Sequence, residues 1–264
     1  MTPQTRHSRI LDLLTAQGEV QVGELATSLG VSDMTIRRDL DALALGGKVI
    51  RTHGGAALSG RVVFDFQFMQ RTRSHEDAKQ QIAETAASLV QDGQSILLDS
   101  GTTTLAVARA LKTKKRLTVI STSLPIASEL QNCDAIDLIL LGGALRHEAP
   151  DLIGPLTESN LEQLQADIAF IGADAVDEKG NTYNQSMAVA RMLACMAAAA
   201  RQVYVVADST KISQTALARF GNLKDWKGLI SDRGLTSSQA ASLRRAGCTV
   251  ILPPKAPSEN NLTK

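Results

Sequence analysis

The chain has 264 residues, 44% hydrophobic but only 3% aromatic, so its core must be built from Ala, Leu, Ile and Val, and its length suits a small domain beside a medium one. A formal net charge of +1 neither requires nor excludes a polyanionic partner, because docking on nucleic acid depends on local charge. Cys133, Cys195 and Cys248 lie far apart, with neither metal-ligand spacing nor a disulfide framework, which points to a reducing cytoplasm and to no bound metal or cofactor. The polar start MTPQTRHSR lacks the apolar stretch of a signal peptide. The longest apolar run, Met187–Ala200, is interrupted by Arg191 and is mostly alanine, so it reads as a buried helix and not as a membrane span.

Taken in chain order, residues 1–56 have helical periodicity ending in a short Gly-bearing segment. A first helix spans Thr5–Gln17, with Ile10, Leu13 and Leu14 on one face and Gly18 as its stop. A short second helix, Val22–Ser28, leads to the turn Leu29-Gly30-Val31. Ser32 is a good N-cap for a third helix, Asp33–Leu45. At 100° per residue, Ile36, Leu40 and Leu43 fall within about 60° of one another and form its buried face. Arg38 lies opposite them, flanked by Met34 and Thr35, with Arg37 on the other shoulder. A recognition helix needs this layout, because its first exposed turns read base edges while arginines and the helix N-terminus hold phosphate. Lys48–Gly55 reads as a β-wing that leaves Arg51 and His53 available to DNA. Residues 1–60 hold six Lys/Arg and six Asp/Glu, so net charge gives this reading no help and the arrangement must carry it.

Residues 57–73 read as a linker. Phe64, Phe66 and Phe68 alternate there like one face of an extended segment and should pack on something. From residue 74 to 252, β-branched runs alternate with helical stretches. The expected strands are Ser95–Leu98, Leu117–Ser121, Asp137–Leu141, Ile168–Ile171, Gln202–Ala207, Gly228–Ser231 and Cys248–Leu252. Helices are expected at Leu105–Leu111, Leu124–Leu130, Met187–Ala200 and Ser237–Ala246. Such alternation implies a mainly parallel sheet covered on both faces, with ligands beyond the carboxyl ends of its strands. The stretch 253–264 has no apolar face and reads as a disordered tail.

Chemistry is therefore sought at strand ends. Asp99-Ser100-Gly101-Thr102-Thr103-Thr104 follows a strand and opens a helix, where backbone N–H groups and hydroxyls can surround an anion. Asp208 and Lys211 follow a second strand, Lys211 suited to a phosphate and Asp208 to hydroxyls. Gly142-Gly143 ends a third, with Arg146 nearby; alone, the pair is equally consistent with a simple turn. His147-Glu148 reads as a surface loop pair.

The segment Val31-Ser32-Asp33-Met34-Thr35-Ile36-Arg37-Arg38-Asp39-Leu40, followed by Arg51-Thr52-His53-Gly54-Gly55-Ala56, resembles the recognition helix and wing of the DeoR-type family of bacterial repressors. The resemblance continues in Lys79-Gln80-Gln81-Ile82-Ala83, Leu98–Thr104, Leu117–Ile120, Leu141-Gly142-Gly143, Phe170–Ala173 and Ala207–Lys211. It implies an α/β chain: an N-terminal winged helix-turn-helix domain, then a C-terminal mainly parallel sensor domain resembling ribose phosphate isomerase. It also implies operator DNA and a phosphorylated sugar effector as partners, a homodimer or homotetramer, and no membrane association. DNA contacts would fall to Ser32, Met34, Thr35, Arg37, Arg38, Arg51 and His53, and effector contacts to Asp99–Thr104, Gly142, Gly143, Asp174, Asp208 and Lys211.

The alternative is an isomerase-like enzyme with an accessory head. Ile171-Gly172-Ala173-Asp174 resembles the D-G-A-D loop of ribose phosphate isomerases, but Ile171 replaces the leading Asp, Ala175 stands where an acidic residue is expected, and that enzyme's glycine-rich lysine loop is absent. Proton abstraction beside a carbonyl needs a positioned carboxylate base, so no catalytic residue is assigned. Ser121-Thr122-Ser123, where many family members carry T-N-S, and Gln185-Ser186-Met187, without the customary glutamate, imply an effector different from that of better-known members.

Overall fold

The computed structural model describes residues 1–46, 48–58, 68, 70–146 and 149–254. Phe64 and Phe66, His147-Glu148 and nearly all of the expected tail lie outside the described residues. Phe68 is helical, not extended. The chain divides into two compact units, the break falling between Arg71 and Thr72.

The first unit is a three-helix head with a small sheet. Helix α1 (Pro3–Gln17) is capped by Thr2, whose hydroxyl oxygen accepts from the Thr5 N–H, and stops at Gly18 with φ +79°. Strand β1 (Glu19–Gln21), absent from the sequence reading, leads directly into α2 (Val22–Leu29). Gly30, left-handed at φ +65°, turns the chain toward α3 (Asp33–Leu45). As expected, Ser32 caps α3: its hydroxyl oxygen accepts from the Thr35 N–H at 3.3 Å. Strands β2 (Val49–Thr52) and β3 (Gly55–Leu58) form the wing, and β3 lies between β1 and β2. Ile36, Leu40 and Leu43 pack against Ile10, Leu14, Leu25 and Val49.

A buried ion pair joins the first and third helices. The Arg6 guanidinium donates to both Asp39 oxygens, and His7 Nε2 lies 3.0 Å from Oδ1. Burial alone would raise the Asp39 carboxyl, but Arg6 and His7 together hold it below its ordinary value.

In the second unit, α4 (Glu76–Ser88) precedes β4 (Ser95–Leu98), α5 (Thr102–Leu111), β5 (Leu117–Ser121), α6 (Leu124–Leu130) and β6 (Ile136–Leu140). The hairpin β7 (Ala144–Leu145) and β8 (Leu152–Ile153) follows, then α7 (Pro155–Glu162) and β9 (Ala166–Gly172). After β10 (Ala175–Val176) and β11 (Asn181–Asn184) come α8 (Met187–Ala198), β12 (Ala200–Val206) and β13 (Ala218–Asn222). The last elements are β14 (Gly228–Ile230), α9 (Ser237–Arg245) and β15 (Val250–Ile251).

The main sheet is seven-stranded and parallel, in the order β6-β5-β4-β9-β12-β14-β15. The chain winds outward from β4 to β6, returns to β9 beside β4, and winds out the other way. This reversal opens the crevice between β4 and β9 at their carboxyl ends, where open α/β sheets bind ligands. Ala169 and Ile171 pack with Leu193 and Met196 of α8, while the alternate residues Ile168 and Phe170 are equally buried. A strand buried on both faces is what a two-sided helical cover requires. Strands β10, β11 and β13 make a separate antiparallel sheet.

Several details differ from the sequence reading. Helix α8 ends at Ala198 and β12 begins at Ala200, so the alanine run contains a turn. Met187, read as part of a buried helix, is exposed at its start. The last strand contracts to Val250–Ile251.

Gly55 is fixed by packing: a Cβ there would lie 2.0 Å from the Val20 carbonyl oxygen on β1. Gly55→Ala is expected to destabilise the head by about 1–3 kcal/mol, read as a lowered melting temperature in scanning calorimetry. An unchanged melt would contradict this β1–β3 contact.

Candidate functional site

On the head, the cap and register of α3 determine which side chains face outward. With Ile36 and Leu40 buried, Met34, Arg37 and Arg38 are exposed, and neither arginine has a side-chain partner among the described residues. Ser32 and Thr35 are linked through their hydroxyls at 2.9 Å, so part of their bonding capacity serves the helix start. Arg51 is not free as expected. Its Nε lies 3.2 Å from Asp41 Oδ1 on α3, which fastens the wing to that helix. His53 is exposed at the tip of the hairpin.

In the second unit, the turn after β4 is organised by Asp99. Its Oδ1 accepts from the Gly101 N–H at 3.0 Å and from the Thr104 hydroxyl, and its Oδ2 accepts from the Gly172 N–H at 2.8 Å. Burial pushes this carboxyl above its ordinary value, against the pull of those three donors, and neighbouring Asp151 adds to the rise. Asp99 and Gly101, expected to face the effector, are thus engaged in holding the turn. Thr104 is fully buried and shares that role. Ser100, Thr102 and Thr103 remain half-buried, and the first-turn N–H groups of α5 point from the helix start with no carbonyl of their own.

The neighbouring strand ends supply other groups. Asp174 Oδ2 accepts from the Gln185 N–H at 2.9 Å, which ties the end of β9 to the approach to α8. Beyond β12, Asp208 is buried, its Oδ1 accepting from the Thr210 N–H at 3.0 Å. Asp232, after β14, accepts from the Ser209 N–H at 2.6 Å and the Gly234 N–H at 2.7 Å. Lys211 is half-buried, and its ammonium has no hydrogen-bond or ion-pair partner among the described residues. Parallel strands lie about 4.8 Å apart, so the turns after β4, β9 and β12 are successive neighbours.

Gly143 is explained by packing, whereas a Cβ on Gly142 would meet only ordinary contacts, 3.5 Å from Leu156. A Cβ on Gly143 would lie 2.1 Å from Thr157 Oγ1, and the Thr157 hydroxyl donates to the Gly142 carbonyl at 2.7 Å. Sequence reasoning left two residues without a role, Arg146 and Asp151. Their side chains form a two-bond ion pair, and Asp151 also accepts from the Ser100 hydroxyl. Only the arginine, close after the glycine pair, gave a local signal.

Comparison with known proteins fits both units. The family model for the DeoR-like helix-turn-helix domain matches residues 6–61, and that for the DeoR C terminal sensor domain matches residues 74–233. The chain belongs to the DeoR family. It is 32% identical over 251 residues to a putative aga operon transcriptional repressor of Escherichia coli O157:H7, covering 94% of this chain and 93% of that one. It is 35% identical over 218 residues to the lactose phosphotransferase system repressor of Lactococcus lactis subsp. lactis, covering 81% and 85%. Among solved structures, ribose 5-phosphate isomerase A from Methanocaldococcus jannaschii overlaps 53% of this chain and 55% of its own at 25% identity, with a TM-score of 0.40, too partial to bear on function.

At Ser121–Ser123, the end of β5 and the turn after it, the structure is tightly made. Ser121 donates to the Leu98 carbonyl at 2.8 Å, Ser123 caps α6, and all three residues are buried.

From its exposure on α3, Arg38 is expected to contact DNA. Arg38→Ala should weaken operator binding by about 1–3 kcal/mol if it pairs with a guanine. Unchanged affinity in a gel-shift titration at fixed salt would remove Arg38 from the interface.

Proposed function

We propose that this DeoR-family regulator represses genes of sugar metabolism and that a phosphorylated sugar controls its affinity for operator DNA. The observation that carries the reading is the presence, at the same edge of one sheet, of an uncapped helix start after β4 and, two strands away after β12, a cation without a partner among the described residues. The α5 N-terminus offers N–H groups and the hydroxyls of Ser100, Thr102 and Thr103, while Lys211 offers an ammonium with no partner among the described residues. A phosphate needs both donors and positive charge, and a sugar needs hydroxyl acceptors, which Asp208 and Asp174 supply in part.

The relatives support a role in regulating genes of sugar metabolism. They include repressors named for the aga operon, for a lactose phosphotransferase system and for the glycerol-3-phosphate regulon. Signalling rather than turnover fits the carboxylates. Asp99 is buried and committed to three internal donors, so it is not a free base for proton abstraction. On the DNA side, Ser32, Met34, Thr35, Arg37 and Arg38 meet the groove, with Arg51 and His53 on the wing. One such head has a small footprint, so paired half-sites and a homodimer or homotetramer follow from the geometry of recognition. The protein works in the cytoplasm, without a cofactor.

A thermal-shift panel of pentose and hexose phosphates is expected to identify a stabilising ligand, with the matching unphosphorylated sugar far weaker. Lys211→Ala should weaken that ligand about tenfold or more, a loss of about 1.4 kcal/mol or more, while leaving ligand-free DNA binding intact. A normal response in the variant would move the phosphate elsewhere, and turnover of any panel member at enzyme-like rates would overturn the regulatory reading.

A further inference from the structure

The β7–β8 hairpin carries a buried ion pair that the reading above does not use. The Arg146 N–H donates to the Asp151 carbonyl at 3.1 Å, Nε donates to Oδ1 at 2.6 Å, and an Nη donates to Oδ2 at 2.7 Å. The Asp151 side chain is 2% exposed and that of Arg146 20%. Neighbouring backbone bonds, Leu124 N–H to the Pro150 carbonyl at 2.9 Å and Leu152 N–H to the Thr122 carbonyl at 3.0 Å, hold this segment to the loop after β5. Toward the turn after β4, the bond from the Ser100 hydroxyl to Asp151 Oδ2 is its one hydrogen bond among the described residues.

That oxygen is the informative atom. Ser100 and Arg146 both donate to it, so the guanidinium is one shared acceptor away from the turn. A phosphate oxygen bonded to Ser100 therefore comes within reach of Arg146. A guanidinium has five N–H donors, and Asp151 takes two of them. The carboxylate already rests on the donors that a phosphate would use.

We propose that Arg146 is an anion-binding residue of the turn after β4 and that Asp151 is its built-in competitor, occupying Arg146 and Ser100 while the turn is empty. This rests on the reading of Ser100–Thr104 as the phosphate turn. A phosphate dianion carries more charge and more acceptor oxygens than a carboxylate, and the guanidinium fork fits either. The competitor lowers affinity for every anion and so keeps weak ones out. When a phosphate takes the Ser100 hydroxyl, the hairpin loses its bond to the turn, and the hairpin thereby registers occupancy.

The test is isothermal titration of the full chain with inorganic phosphate at fixed pH and ionic strength. Asp151→Asn keeps the volume and an acceptor but removes the competing charge, and it should bind phosphate about tenfold more tightly than wild type. A purely structural ion pair predicts equal or weaker binding, and that result would overturn the proposal. The double variant Arg146→Gln/Asp151→Asn removes both charges and leaves no buried carboxylate unpaired. It should bind about tenfold more weakly than Asp151→Asn; equal binding would show that Arg146 is not the cation. If Ser100→Ala leaves phosphate binding unchanged in both backgrounds, the turn is not the site, and the functional reading fails together with this proposal.

Discussion

The Asp99 carboxylate, buried at the end of the central strand β4, accepts hydrogen bonds from Gly101, Thr104 and Gly172. Those bonds join three elements at the point where the sheet reverses direction: the exit of β4, the first turn of α5 and the exit of β9. Without the side chain, the half-buried Gly101 and Gly172 N–H groups would lose these partners. The staple also sets the line along which α5 leaves the sheet, and with it the direction of the N–H groups offered to an anion. The shape of this turn thus depends on the Asp99 carboxylate.

The head obeys the same logic on a smaller scale. The groups expected to meet DNA are held in place by caps and ion pairs. Asp39, on the inner side of α3, is gripped by Arg6 and His7 of α1, which fixes the roll of α3 and leaves Arg37 and Arg38 outward. Ser32 fixes where α3 begins, and Asp41 holds the wing through Arg51.

What the sequence made legible follows from the range of the interactions. Cap, turn and hydrophobic period are local, so α3, the wing and the main parallel strands can be read from residues a few positions apart. Strand β1 escaped because three residues carry no period, and β11 because Asn181–Asn184 is polar. The site was half legible. The strand–turn–helix of Ser100–Thr104 is local and could be placed. That Asp99 belongs to the scaffold could not be read, because its partner Gly172 lies 73 positions away. Asp151 was invisible for the same reason, with 51 positions separating it from Ser100. The crowding that demands a glycine at 143 was hidden too, because it comes from Thr157 on a later helix.

The central claim is that the occupancy of the turn after β4 and the occupancy of the head by DNA are energetically linked. Linkage is reciprocal: whatever factor the sugar phosphate imposes on DNA affinity, DNA must impose on sugar phosphate affinity, commonly about 5–150-fold. The direct measurement is a pair of titrations at one salt concentration, DNA binding with and without the stabilising sugar phosphate, and sugar phosphate binding with and without operator DNA. Weaker binding by the same factor in both is the result expected of a repressor released by its effector. A ligand that binds the sensor while DNA affinity stays unchanged would contradict the account.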